Sequence, residues 1–137
     1  MSPVFVDTSG FYAFLDGTDP NHSRAAAFFE GAAGQSTVCW TTNYVIHETW
    51  AVVQARLGWD AVEDWLRELL PLCEVRWVDQ QLHLRGAARC RQARERRLSL
   101  TNAISIEFML EEEIRDALAF DEHFAREGFR CRGAGEP

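Results

Sequence analysis

The chain contains no lysine; all 14 of its positive side chains are arginine. That absence alone removes the phosphate-binding P-loop, which needs a lysine after its glycines. Cysteine is scarce and scattered, at Cys39, Cys73, Cys90 and Cys131, with no Cys-x-x-Cys pair. Four such thiols read as reduced, mostly core side chains and not as a zinc site or a disulfide frame. The four histidines include no i, i+4 pair, so a zinc-hydrolase helix is not indicated. No Gly-x-Gly-x-x-Gly follows the first apolar run, which argues against a dinucleotide site. No apolar stretch approaches the roughly 18 residues of a membrane span. The first arginine comes only at Arg24, so no basic, apolar leader is expected, and the cytoplasm is the expected compartment.

What is present reads as a folded chain. At 137 residues, 47% hydrophobic and 26% charged, it is long and apolar enough for one domain with a sizeable core, expected over residues 1–132 with a loose tail at 133–137. A net charge of −7 argues against a nonspecific nucleic-acid coat. It leaves RNA open, because a nuclease needs a local basic surface and not a basic average.

Along the chain, apolar runs alternate with helical patterns. Pro3 to Val6 reads as a buried parallel strand that delivers Asp7 to its carboxyl end, where ligands bind in open α/β sheets. Asp7 also suits a helix cap before Ser9 and Gly10, and both readings stay open. Phe11 to Leu15 and His22 to Ala33 read as helices, Gly34 to Ser36 as a turn, and Ser36 to Trp40 as the second strand. Thr41 to Asn43 cap a helix reaching about Leu57. Trp59 to Leu70 follows as its hairpin partner, ended by Pro71, and Cys73 to Val78 is the third strand. Asp79 to Arg97 is expected as a long helix, and Ser99 or Thr101 caps another from Leu100 to Glu111. Ala117 to Phe120 is the fourth strand and delivers Asp121. Glu122 to Glu127 and Phe129 to Cys131 close the fold as a short helix and an edge strand. This alternation predicts a three-layer α/β/α sandwich around a mostly parallel sheet.

Two helices carry patterns with more than one reading. At 100° per residue, Ile46, Trp50, Val53 and Leu57 share one face of the third helix, while Glu48 lies opposite with Ala51, Val52 and Ala55. A carboxylate among apolar neighbours needs a cation or donors, and a metal would serve; the other reading has Glu48 reaching solvent or pairing with an arginine. Six of the 14 arginines fall between Arg85 and Arg97. Arg85, Arg89 and Arg96 form a stripe, with Leu84, Ala87, Ala88 and Leu98 on the inward side. The stripe is either a solvated face or a set of phosphate contacts. The hairpin tryptophans Trp50, Trp59 and Trp65 belong to the core or, if exposed, to a surface for a partner chain or dimer.

Three segments in this order, Val4 to Ser9, Asn43 to Glu48, and Leu98 to Ser105 followed by Arg115 to His123, resemble the PIN-domain nucleases, specifically VapC-type toxins of toxin–antitoxin pairs. The resemblance runs from about Val4 to Phe129. It implies a Mg²⁺- or Mn²⁺-dependent ribonuclease site built from Asp7, Glu48, Asn102 and Asp121. Asp7, Asn102 and Asp121 would be metal ligands, and Glu48 would bind through water or position the nucleophile. The hydroxyls of Thr8, Ser9 and Ser99 would steady them. It further implies an RNA substrate, a VapB-type antitoxin and a homodimer. An Asp-x-Asp phosphatase of the haloacid dehalogenase type is less suited, since Asp7-Thr-Ser9 lacks the second acid.

One position departs from the family. Asn102 stands where the pattern Ser-Leu-Thr-Asp has its aspartate. An amide brings no charge, so it relieves repulsion among clustered acids and weakens metal binding. The chain is therefore expected to bind like its family and to cleave poorly or not at all. The alternative is a non-catalytic RNA- or antitoxin-binding module.

Overall fold

Strand β1 (Pro3–Val6) forms the middle of the sheet because Val4, Phe5 and Val6 have no solvent exposure and such a run suits a strand covered on both faces. The computed structural model describes residues 2–34 and 37–132. Its other strands are β2 (Val38–Thr42), β3 (Cys73–Arg76), β4 (Asp116–Leu118) and β5 (Arg130–Cys131). They lie in the order β3-β2-β1-β4-β5, every pair parallel. The sheet expected as mostly parallel is parallel throughout. Helices α1 (Thr8–Leu15), α2 (His22–Gly34), α3 (Asn43–Leu57), α4 (Trp59–Asp64), α5 (Gln80–Ala93), α6 (Leu100–Glu111) and α7 (Glu122–Arg126) cover it. Gly34, expected to open a turn, is the last residue of α2, one residue beyond the expected end at Ala33; Gln35 and Ser36 of that turn and the expected tail at 133–137 lie outside the described residues. None of the described helices is long and apolar enough to cross a membrane.

Helix starts follow from the sequence. Thr42, Asp79 and Ser99 each accept a hydrogen bond from an amide three residues on, satisfying a donor the first turn leaves free. Ends were less legible. The arginine-rich helix stops at Ala93, because Arg94 takes the left-handed conformation (φ 53°) and its N–H closes on the Cys90 carbonyl at 2.9 Å; residues 94 to 98 are loop. The helix expected to Leu70 widens at Trp65–Leu69 into a π-helical turn and ends in a 3₁₀ turn at Leu70–Leu72, where Pro71 stops further winding. β2 begins at Val38 and β4 ends at Leu118, both displaced by about two residues from expectation.

The inward face of α5 also differs. Leu82 and Gly86 are buried while Leu84 is 55% exposed, because α5 meets α6 through Gly86. A Cβ there would lie 2.4 Å from Ile104 Cγ1 and 3.1 Å from the Ile104 backbone. Gly86→Ala is expected to lose about 1–3 kcal/mol from overpacking. Gly31→Ala, inside α2 with nothing within 4 Å, should gain up to ~1 kcal/mol from helix propensity. Thermal denaturation of the two variants checks the opposite signs.

Candidate active site

Asp7 follows β1 and Asp121 lies three residues past the end of β4, neighbouring strands in which Val6 pairs with Leu118, so both acids arrive at one edge of the sheet. Each also starts a helix. Asp7 Oδ2 accepts from the Ser9 amide at 3.3 Å and the Ser9 hydroxyl at 2.9 Å, capping α1. Asp121 Oδ1 accepts from the His123 amide at 2.9 Å, capping α7. The cap reading of Asp7 holds together with its placement at the strand end, because a carboxylate has two oxygens. One is given to the helix; the other, Asp7 Oδ1, is buried with no hydrogen-bond partner among the described residues.

Asn102 occupies the third position of α6 and completes a capping box. Its backbone N–H donates to Ser99 Oγ at 3.0 Å, and its side-chain Oδ1 accepts from the Ser99 backbone N–H at 3.3 Å and hydroxyl at 2.9 Å. A backbone N–H can only donate, so the oxygen must face Ser99 and the remaining side-chain atom is Nδ2. Where an aspartate would keep an oxygen for the cleft, Asn102 keeps a donor. The oxygen expected to ligate a metal is committed to the cap.

The hydroxyls hold these groups in place. Ser9 Oγ accepts from the Phe120 amide at 2.9 Å while donating to Asp7, so one side chain ties Asp7 to the segment carrying Asp121. Thr8 Oγ1 accepts from Thr49 on α3 at 3.0 Å, next to Glu48. Gly10 lets α1 start against β4, since a Cβ there would come 2.5 Å from the Leu118 carbonyl oxygen.

These residues line a cleft of about 410 Å³ that contains Asp7, Glu48, Asn102 and Asp121 together. Glu48 is half-buried and makes no hydrogen bond or ion pair among the described residues. Its surroundings correct the wheel reading: α3 is buried only through Val45, Thr49 and Val53, while Ala51 and Ala55 are exposed. The helix packs one face inward, so Glu48 looks into an open cleft beside Val52 and not into a second apolar layer. Burial pushes the Asp7 carboxyl up to about 6; the Ser9 hydrogen bonds oppose this, and the charges of Glu48 and Asp121 add to it. Among the described residues no three carboxylate, imidazole or thiol side chains are placed to enclose a metal by themselves.

The arginine stripe does not reach the cleft. Arg89 Nε donates to Glu107 at 2.6 Å and Arg89 also lies 3.4 Å from Glu127, while Arg85 pairs with Glu111. Arg96 is exposed in the loop after α5. Arg85 and Arg89, open to reading as a solvated face or as phosphate contacts, make ion pairs between α5, α6 and the α7 end, over separations of 18 to 38 residues that helix periodicity does not reveal. Residues the sequence did not single out, Tyr12, Asp19, Asn21, Arg56, Arg97 and Phe120, line the cleft instead. Their signal was position only: they lie on segments that pass the carboxyl edge of the sheet. The tryptophans divide too, Trp65 being fully buried and Trp59 56% exposed. A separate groove of about 970 Å³ runs along the outer side of α3, with Trp50 and Trp77 in its wall.

The sheet's central strand and its neighbour bring aspartates to one edge, facing a glutamate from α3 and the start of α6, and residues 4–129 of the sequence match the PIN domain family model. The chain belongs to the PIN-domain family. It is similar to the 23S rRNA-specific endonuclease VapC20 of Mycobacterium tuberculosis, in strains CDC 1551 / Oshkosh and ATCC 25618 / H37Rv, at 31% identity over 127 residues, spanning 92% of this chain and 95% of each relative. The crystal structure of M. tuberculosis VapC20, described as a sarcin–ricin loop cleaving toxin, superposes with a TM-score of 0.79 at 30% identity, over 92% of this chain and 95% of that one.

Proposed function

We propose that this chain is a metal-dependent endoribonuclease of the VapC toxin kind whose cleavage is held down by Asn102. The observation that carries this reading is the buried, unpartnered Oδ1 of Asp7, in a carboxyl whose ionisation Glu48 and Asp121 oppose. An orphaned carboxylate oxygen costs free energy unless a cation meets it, and hard oxygen donors suit Mg²⁺ or Mn²⁺. Asp7 and Asp121 would hold the cation, with water and substrate phosphate filling the rest of its shell. When bound, it would lower the pKa of a water and stabilise the charge developing on the phosphodiester. Glu48 Oε is free to accept the proton of the attacking water. Ser9 keeps the two aspartates in register, and Asn102 Nδ2 offers a hydrogen bond where a third anionic ligand would otherwise sit.

RNA is the substrate class, taken from the relative's activity on 23S rRNA, and a sarcin–ricin loop hairpin is the first substrate to try. A VapB-type antitoxin is the expected inhibitor and a homodimer the expected assembly; the apolar groove beside Trp50 and Trp77 is where we place a partner chain. The test is cleavage of that hairpin by this chain at high enzyme concentration, with Mn²⁺ or with EDTA. Slow, Mn²⁺-dependent cleavage abolished by Asp121→Asn supports the proposal. Cleavage indifferent to EDTA and to Asp121→Asn would overturn it. Asn102 Nδ2 favours the second reading, a non-catalytic RNA- or antitoxin-binding module, which predicts neither cleavage nor a Mn²⁺-induced rise in Tm.

A further inference from the structure

We propose that Arg56 and Arg97, from two different walls of the acid cleft, are the side chains that grip the phosphate backbone of its substrate. This rests on the RNA-cleaving reading above. A chain of net charge −7 admits a polyanion only where cations are uncommitted and close to the reacting groups. Seven of the 14 arginines lie within ion-pairing distance of a carboxylate, which occupies them on other faces. Among the remainder, only Arg56 and Arg97 line the cleft, and neither has a carboxylate within 4 Å among the described residues.

Both are held ready. The Arg56 guanidinium lies over the Tyr12 ring, its carbon 5.7 Å from the ring centroid, and Tyr12 is itself fixed by donating to Asp16 Oδ2 at 2.9 Å. Contact with the neutral Tyr12 phenol orders the planar fork without neutralising it, so the guanidinium keeps its charge for a phosphate. Arg97 is tied through its backbone: its carbonyl oxygen accepts from His123 Nε2 at 3.1 Å, two residues from Asp121. One arginine leaves α3 two turns beyond Glu48, and the other leaves the loop just before Ser99 and Asn102. A strand crossing the carboxylates would therefore meet one guanidinium on each wall. The charge count agrees. Four carboxylates (Asp7, Asp19, Glu48, Asp121) and two guanidiniums leave two negative charges when all are ionised, which one divalent cation offsets.

The experiment is binding of a fluorescein-labelled sarcin–ricin hairpin, and of a mixed RNA pool, across a salt series with Mn²⁺ present, followed by steady-state cleavage. Arg56→Gln and Arg97→Gln should each reduce the slope of log K against log[salt] by about 0.7, the release expected from one lost phosphate contact on a single strand. Each should raise KM several-fold with kcat nearly unchanged. Arg56→Lys and Arg97→Lys, which keep the charge, should keep the slope. Arg91→Gln, an exposed α5 arginine outside the cleft, should match the parent. If the parent binds RNA and the two Gln variants keep its slope and KM, the grip assignment is wrong and the nuclease reading survives. If the parent neither binds nor cuts either RNA, both fall.

Discussion

Asn102→Asp is expected to raise Mn²⁺-dependent cleavage by roughly 100-fold, the scale of one well-placed electrostatic group at a reacting centre, and to raise Mn²⁺ affinity by about 10- to 100-fold. The geometry explains why so small a change acts so strongly. Ser99 holds one side-chain oxygen of this position through its amide and its hydroxyl. An aspartate can keep that cap and present its second oxygen to the cleft; asparagine can only present a nitrogen. The same substitution should lower Tm in EDTA by a few degrees, because it adds a carboxylate near Asp7, Glu48 and Asp121 with no cation to offset it. Excess Mn²⁺ should reverse the loss, since ligand bound to the folded state at 100 times its Kd contributes about 2.7 kcal/mol. Parallel cleavage assays and melting curves decide the matter. Equal activity in the two proteins, with no added response of Tm to Mn²⁺, would mean that position 102 does not face the cation.

Asp7→Asn is expected to stabilise the folded protein above pH 6 while abolishing cleavage. The Asp7 carboxyl is raised from 3.8 to about 6 by burial, with Glu48 and Asp121 adding to the shift. A raised folded-state pKa means that the native protein holds this proton more tightly than the unfolded chain. The associated stability is fully present below about pH 3.8 and is lost as pH rises through about 6. At 1.36 kcal/mol per pKa unit the whole effect is about 3 kcal/mol. Asparagine keeps the oxygen that caps α1 and carries no charge, so its advantage should grow from pH 4 to pH 7 and then level off. Mn²⁺ should stabilise the parent and leave Asp7→Asn unmoved. Melting curves at pH 4, 6 and 8 test the sign; a variant less stable than the parent at pH 8 would show that Oδ1 has a partner.

The cleft also shows how far side-chain inventory can mislead. The stripe arginines Arg85 and Arg89 on α5 are spent on Glu107, Glu111 and Glu127, whereas Arg56, alone in its segment, and Arg97, at the end of the arginine run but outside the stripe, border the acids. Glu48 behaves similarly. Its distance from Asn43 marked it, but the wheel that placed it among alanines assumed that both sides of α3 were covered.

The sequence by itself determined the parts of this protein that depend on near neighbours. Apolar runs set the strands, and Thr42, Asp79 and Ser99 set the helix starts, because strand burial and helix capping are settled within a few residues; the resemblance to PIN-domain nucleases singled out Asp7, Glu48, Asn102 and Asp121, which line one cleft. Tertiary structure alone decided which oxygen of Asp7 is left without a partner, which arginines are spent on carboxylates, how closely Gly86 brings α5 onto Ile104, and which two guanidiniums face the cleft. Those outcomes depend on groups far apart in the chain. Asp7 meets Asp121, and Arg85 meets Glu111, only once β1 and β4 lie side by side and α5 rests on α6.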